Sequence, residues 1–180
     1  MQILDLPPAR MEPYRSGIHR LLIPMSAAST IHEYFVRDCM TSPAKSISQD
    51  AHLLDAALAL RYTGFRHLPI VDGDERLVGL ISERDIHRFS PSPLSKISPE
   101  EYNAVFENTP LERVMTRNPL SVTPETPLRD AAALLHAKKL GCLPVVVKGR
   151  LVGIVTVTDM LGVLLRLLAA AAQESPLKGR

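Results

Sequence analysis

Two short polar arrays in this chain combine residue types and spacing that suit chemistry: Ser82-x-x-Asp85 and Thr156-x-x-Asp159, each at the end of an apolar run. They close two copies of one decapeptide, Leu77 to Ile86 (LVGLISERDI) and Leu151 to Met160 (LVGIVTVTDM), set 74 residues apart. Leu, Val, Gly and Asp are identical in the copies. The pairs Leu80/Ile154, Ile81/Val155, Ser82/Thr156 and Ile86/Met160 are exchanges of similar shape. An ionised carboxylate accepts hydrogen bonds from both hydroxyls of a vicinal diol, which is how acidic residues hold ribose. Free N–H groups at a helix N-terminus favour an anion nearby, and a guanidinium such as Arg84 or Arg66 forks onto phosphate oxygens. The same spacing is also a helix cap, with a hydroxyl at the N-cap and an acid at the third helical position, worth about 0.5 to 2 kcal/mol. The two uses are compatible, because a carboxylate that caps the helix in the free protein can still accept a diol.

These arrays need a strand, a tight turn and a helix start, and the chain supplies them twice. Each LVG run reads as a buried strand whose glycine sits where side chains crowd, and helix-compatible sequence follows each Asp. Upstream, Met40-Thr41 matches Met115-Thr116, and Ile47-Ser48 matches Val122-Thr123. Helix-period segments follow, with Leu53, Leu54, Ala57, Leu58 and Leu60 in one copy and Leu128, Ala131, Ala132, Leu134 and Leu135 in the other. Asp50, Asp55, Glu125 and Asp130 place acids near their starts, where the helix dipole favours them. Pro127 suits a first helical position, and Gly64 and Gly141 suit helix ends. His67 to Val71 and Cys142 to Val147 then read as strands, joined to the LVG strands by turns at Asp72-Gly73-Asp74-Glu75 and Lys148-Gly149. Each repeat is therefore strand, helix, strand, strand, helix in about 50 residues, too small a core to stand comfortably alone. The expected organisation is an arm over residues 1–35, with Met25 as a second candidate start, and a first repeat over 36–92. A linker with a short helix capped by Ser98-Pro99-Glu100-Glu101 covers 93–109, a second repeat covers 110–172, and a tail covers 173–180. Thr109-Pro110 reads as the opening of a further helix running into Met115. Leu161 to Leu168 make a helix apolar on most of its circumference, which must be buried within the subunit or against another.

Composition narrows the function classes. A net charge of +2 with no Lys/Arg run argues against a polyanion partner, and four Tyr, four Phe and no Trp leave little for stacking bases. No apolar stretch reaches the roughly 20 residues of a membrane span. The longest candidate, Leu161 to Ala172, is interrupted by Arg166. Two isolated cysteines, Cys39 and Cys142, fit a reduced, cytoplasmic setting. P-loop, Gly-x-Ser-x-Gly, His-Glu-x-x-His and paired-Cys motifs are all missing, so an enzyme is not expected.

The order Met-Thr, small strand, Ala/Leu-rich helix, Leu-Pro-hydrophobic strand and Gly-hydrophobic-hydrophobic-Ser/Thr-x-x-Asp, found twice in near-constant register, resembles a tandem pair of CBS domains (a Bateman module) of the stand-alone type. The match spans about residues 36–90 and 110–172. The resemblance implies an α+β fold of two β-α-β-β-α repeats packed through their sheets with pseudo-two-fold symmetry. It further implies a non-catalytic regulatory module binding adenosyl ligands in clefts between the repeats: AMP, ADP or ATP, with S-adenosylmethionine, NAD or dinucleotides as other members of the class. Asp85 and Asp159 would hold ribose hydroxyls, with Ser82 and Thr156 on ribose or phosphate and Arg84 on phosphate. Strand entries at Ala44, Ser46 and Ile47, and at Pro119, Ser121 and Val122, would face adenine. Arg66, His67, Leu68 and Pro69, with Cys142, Leu143 and Pro144, would line the other wall. Such pairs commonly form disc-like homodimers that act on a protein target.

Several of these residues have plainer readings. Arg66 and Arg84 are of a type usually solvated, His67 fits the edge of a core or an interface, and Cys142 fits a small buried hydrophobe. The remaining histidines show no metal-like spacing, and no metal site is expected. An interaction module with degenerate sites is the competing reading. The first repeat offers Arg66, His67, Glu83 and Arg84 where the second has Gly141, Cys142, Val157 and Thr158. Only the first has cations of its own, although a cleft between repeats lets the cations of one serve the ligand of the other.

Overall fold

The computed structural model describes residues 34–92 and 96–174. Most of the expected N-terminal arm with Met25, linker residues 93–95 and the tail from residue 175 lie outside the described residues. The first half contains β1 (Ile47–Ser48), α1 (Leu53–Thr63), β2 (His67–Val71), β3 (Leu77–Ser82) and α2 (Glu83–Phe89). After α3 (Pro99–Asn108) come β4 (Thr116–Arg117), α4 (Leu128–Lys138), β5 (Cys142–Val147), β6 (Arg150–Thr156) and α5 (Val157–Glu174). β1, β2, β3 and β4 form one sheet in that order, and β5 and β6 form a second. The fold is the expected α+β tandem pair.

Local chemistry explains the elements. The Asp55 carboxylate accepts the His52 N–H at 2.9 Å, α1 buries Leu53, Ala56 and Leu60, and Gly64 ends it at φ 69°. β2 and β3 form an antiparallel hairpin with Leu68 opposite Ile81, and its turn is fastened by Asp72 Oδ1, which accepts the N–H groups of Asp74 and Arg76 at 2.9 Å each. α3 starts with the anticipated reciprocal cap: Glu101 N–H donates to Ser98 Oγ at 3.1 Å, and Ser98 N–H donates to Glu101 Oε2 at 2.7 Å.

The segments just before the Met-Thr dipeptides are exchanged between the halves. Leu111 and Val114, together with Phe106, complete the first hydrophobic core, and Val36 belongs to the second. Thr116 pairs with Leu80 in the first sheet, while Thr41 bridges to Ile154 in the second. Each exchanged segment also satisfies a helix start: Leu53 N–H donates to Thr109 O and Leu128 N–H to Tyr34 O, both at 2.8 Å. The hairpin turns meet as well, Leu77 N–H donating to Gly149 O and Leu151 N–H to Glu75 O at 3.0 Å each. Every one of these bonds has its counterpart under an approximate two-fold.

The exchange also accounts for the glycine of each LVG run. A Cβ on Gly79 would collide with the Met115 sulfur, and one on Gly153 would stand 2.9 Å from Met40 Sδ and 3.0 Å from the Thr41 carbonyl oxygen. Because backbone cannot step aside as a methionine tip can, Gly153→Ala is expected to cost about 1 to 3 kcal/mol. A lowered urea midpoint would show it, with Gly73→Ala, which has open space around it, unchanged.

Several expectations are corrected. Thr109-Pro110 opens no α-helix. Leu111–Arg113 make a single 3-10 turn, because Leu111 anchors in the first core and the chain must then extend into β4. Pro127 is the N-cap of α4 and not its first residue, with extended ψ of 135°. Lys139, at φ 53°, ends α4, so Gly141 is no helix stop. Its glycine answers instead to the His67 ring, which lies where a Cβ would be. The second small strand shrinks to one parallel bridge, Val122 with Val145. Of the two covers expected for α5, this subunit or another, the described residues do not supply the first: Leu161, Leu164, Leu165 and Leu168 are 53%, 48%, 67% and 58% exposed. Among the described residues, no helix is long and apolar enough to cross a membrane.

Candidate functional site

The hydroxyl-Asp arrays lie where a hairpin strand turns into a helix, and the strand register fixes their neighbours. His67 stands opposite Ser82 in the β2–β3 ladder, and Glu83 N–H donates to Arg66 O at 3.2 Å. In the second half Cys142 stands opposite Thr156, and Val157 N–H donates to Gly141 O at 3.1 Å. Arg66, His67, Ser82, Arg84 and Asp85 are thus brought together, as are Cys142, Thr156 and Asp159.

Each array is locked in the same way. Asp85 Oδ2 accepts both the Ser82 backbone N–H at 2.9 Å and the Ser82 hydroxyl at 2.7 Å. Asp159 Oδ2 accepts the Thr156 N–H at 2.8 Å and its hydroxyl at 2.7 Å, and Asp159 N–H returns a bond to Thr156 Oγ1 at 3.3 Å. These bonds cap α2 and α5, so the capping function is present in both copies. They engage one oxygen of each carboxylate, and both aspartates are only half-buried. The second oxygen, Oδ1, still has lone pairs with which to accept from a hydroxyl.

The strand entries approach from the side. β1 runs parallel to β2 with Ile47 opposite Ile70, so Ala44 and Ser46 lie back toward the His67 end. Val122 N–H donates to Pro144 O at 3.0 Å, which places Pro119 and Ser121 correspondingly in the second half. Ala44, Ile47 and Pro119 are half-buried, and Ser46 and Ser121 are exposed. Leu68, Pro69, Val122, Cys142, Leu143 and Pro144 are buried. They shape these regions from below and offer little open surface.

The electrostatics of the two halves differ. Burial lowers the His67 pKa below its ordinary value, with Arg84 pushing the same way, Asp85 opposing, Arg66 lowering and Glu83 opposing. At the matching position, burial alone pushes the Cys142 thiol up to about 12. Cys39 is a neighbour that motif reading missed. Its thiol is pushed up to about 12 by burial first, then by Asp159, with Arg166 opposing and Asp38 adding to the rise. The repeat offset places Cys39 against Val114, just before each Met-Thr. That alignment was the available signal that this segment packs beside an aspartate array. Among the described residues, no group of His, Cys, Asp or Glu is placed to hold a metal ion.

The sequence profile of the CBS domain matches residues 36–92 and 111–166. This chain belongs to the CBS-domain family and carries the domain twice. It is 30% identical over 141 residues to a CBS domain-containing protein of Dictyostelium discoideum, covering 78% of this chain and 97% of that one. Among solved structures it is similar to CBSX2 in complex with AMP, at 28% identity and TM-score 0.65, covering 74% of this chain and 98% of that one. It is also similar to the CBS domain pair of protein MJ0100 in complex with 5′-methylthioadenosine and S-adenosyl-L-methionine, at 28% identity and TM-score 0.60, covering 73% and 95%.

Proposed function

We infer that this chain is a non-catalytic regulatory module that binds adenosyl ligands between its two CBS repeats. The observation that carries the reading is the repeated carboxylate geometry: Asp85 and Asp159 each commit Oδ2 to the strand end and leave Oδ1 for a ribose diol. The complexes of CBSX2 with AMP, and of the MJ0100 pair with 5′-methylthioadenosine and S-adenosyl-L-methionine, support the ligand class. In this reading Ser82 and Thr156 contact ribose or phosphate and Arg84 contacts phosphate. Ala44, Ser46, Ile47, Pro119, Ser121 and Val122 flank adenine. Arg66, His67, Leu68, Pro69, Cys142, Leu143 and Pro144 form the facing wall. AMP, ADP and ATP are the leading ligands, with S-adenosylmethionine and NAD in the same class. The exposed apolar side of α5, together with Leu58 and Phe89, supports a homodimer as the working unit. A ligand resets such a unit only through differential affinity for two of its states.

The test is thermal shift and calorimetry with AMP, ADP, ATP, NAD and S-adenosylmethionine, on wild type and on the Asp85→Ala/Asp159→Ala double variant. A ligand at 100 times its Kd should stabilise wild type by about 2.7 kcal/mol and leave the variant unmoved. No shift with any of them would make the aspartates caps alone and leave an interaction module. Sedimentation of the same samples decides the dimer, which a monomeric mass at tens of micromolar would refute.

A further inference from the structure

We propose that the contact of His67 with Gly141 is a pH-sensitive joint between the two repeats, closed by a neutral imidazole and loosened when the ring takes a proton.

The joint is built from both halves. His67 is the first residue of β2 and stands opposite Ser82 in the β2–β3 ladder. Its ring reaches across to the second repeat and fills the place a Cβ on Gly141 would take, with Nε2 and Cε1 foremost. Gly141 has no positive φ that would require glycine, so the close approach of the ring is the reason for it. The carbonyl of the same glycine seats α5: Gly141 O accepts the Val157 N–H at 3.1 Å, the first N–H of the helix that carries Asp159. A ring from the first repeat therefore bears on the backbone that starts a helix of the second. The residue matched to His67 is Cys142, opposite Thr156. Burial pushes its thiol up to about 12, so it stays uncharged where an imidazole titrates.

The surroundings resist a proton on this ring. Burial, and then Arg84, hold the His67 pKa below the ordinary 6.5, with Asp85 opposing, Arg66 lowering and Glu83 opposing. Arg66 precedes the ring in the chain, and Glu83, Arg84 and Asp85 stand in the first turn of α2. Asp85, which favours the proton, has Oδ2 committed to the Ser82 N–H and hydroxyl. From the second repeat the ring meets the segment that runs from Lys139, the cap of α4, to Cys142. The one charge of that segment is positive and opposes a proton as well. A closed joint thus prefers the neutral ring, whereas a loosened joint returns the ring to water and to its ordinary pKa. Closure is complete above about pH 6.5 and is lost as the pH falls from there through the lower pKa of the closed state.

Amide hydrogen exchange at Val157 reads the joint in the full chain. Expressed as protection factors, so that the intrinsic pH dependence of exchange cancels, it is followed from about pH 8 to about pH 5, the range in which an imidazole titrates. Protection of the Val157 N–H should fall on the order of 5-fold or more, the lower end of typical coupling between two sites. In His67→Gln, which keeps a polar side chain and takes no proton, Val157 should hold its protection over the whole range. The Cε1–H resonance of His67, assigned through its backbone correlations in wild type, should titrate with a midpoint below 6.5. A midpoint at or above 6.5 overturns the proposal. So does a Val157 protection that ignores pH, or one that falls equally in His67→Gln. If the variant does not fold, wild type still decides, because the fall in Val157 protection must coincide with the titration of the ring.

Discussion

Leu111→Ala is expected to cost about 2 to 5 kcal/mol and to unfold both repeats in one transition. Leu111 follows the linker in the chain, yet it is fully buried in the core that α1, β2 and β3 build before the linker. Its N–H donates to Ala51 O at 3.1 Å, one of the bonds that fasten the start of α1. Truncation would leave a cavity, which the two-residue edge strand β4, paired with Gly79 and Leu80, closes poorly. Val36 stands in the mirrored place in the second core, also fully buried. Neither core is complete without a segment that the sequence assigns to the other repeat, so a domain of total stability near 5 to 15 kcal/mol should melt as a unit. Far-UV circular dichroism and tyrosine fluorescence should therefore trace coincident urea curves in wild type, both displaced to lower midpoints in Leu111→Ala. Two separated transitions, or a loss below about 1 kcal/mol, would mean the exchanged segment is decoration and the repeats fold alone.

The same exchange marks where the sequence stops being legible. The elements with strong local signals stand as read: the Ser98-Pro99-Glu101 cap starts α3, Gly64 ends α1, and the LVG strands run into their aspartates. Those signals live within a few residues of one another. The misread places are settled by contacts across the approximate two-fold. Thr109-Pro110 looks like a helix start, but Leu111 is drawn into the first core and the helix cannot continue. Gly141 looks like a helix stop, but its neighbour is a histidine ring 74 positions back in the chain. The apolar stripe of α5 reads as needing cover from this subunit or another, and period and composition cannot say which; the described residues leave it open. For the candidate site, residue types and the Ser/Thr-to-Asp bond were legible from spacing. The charge environment of the second array was not, because Cys39 meets Asp159 from a segment far from it in sequence, and Arg166 acts on that thiol from further along α5.

Replacing Asp85 or Asp159 by asparagine should separate the two jobs that the carboxylate performs. An asparagine carbonyl oxygen can take over the position of Oδ2, accepting the strand-end N–H and hydroxyl that Asp85 and Asp159 now hold at 2.7 to 2.9 Å. The bonds to the strand end survive and the first turn of the helix loses only the carboxylate's charge, so the free protein should stay within about 1 kcal/mol of wild type. The other side-chain atom then becomes an NH2 group, a donor where a ribose diol also brings donors. Two charge-assisted bonds are lost, and only neutral bonds from the NH2 group to the diol oxygens can replace them, so affinity at the altered array should fall by about 1 to 3 kcal/mol, on the order of 10- to 100-fold. Calorimetry gives the affinity and denaturant midpoints of the free protein give the stability. Alanine at either position would be less informative, since it removes the cap and the ligand contact together. An Asn variant that keeps full affinity would show that the carboxylates serve the helices and nothing else. One that loses affinity with its midpoint unmoved assigns the diol to Oδ1, because the fold has been left with every bond it had.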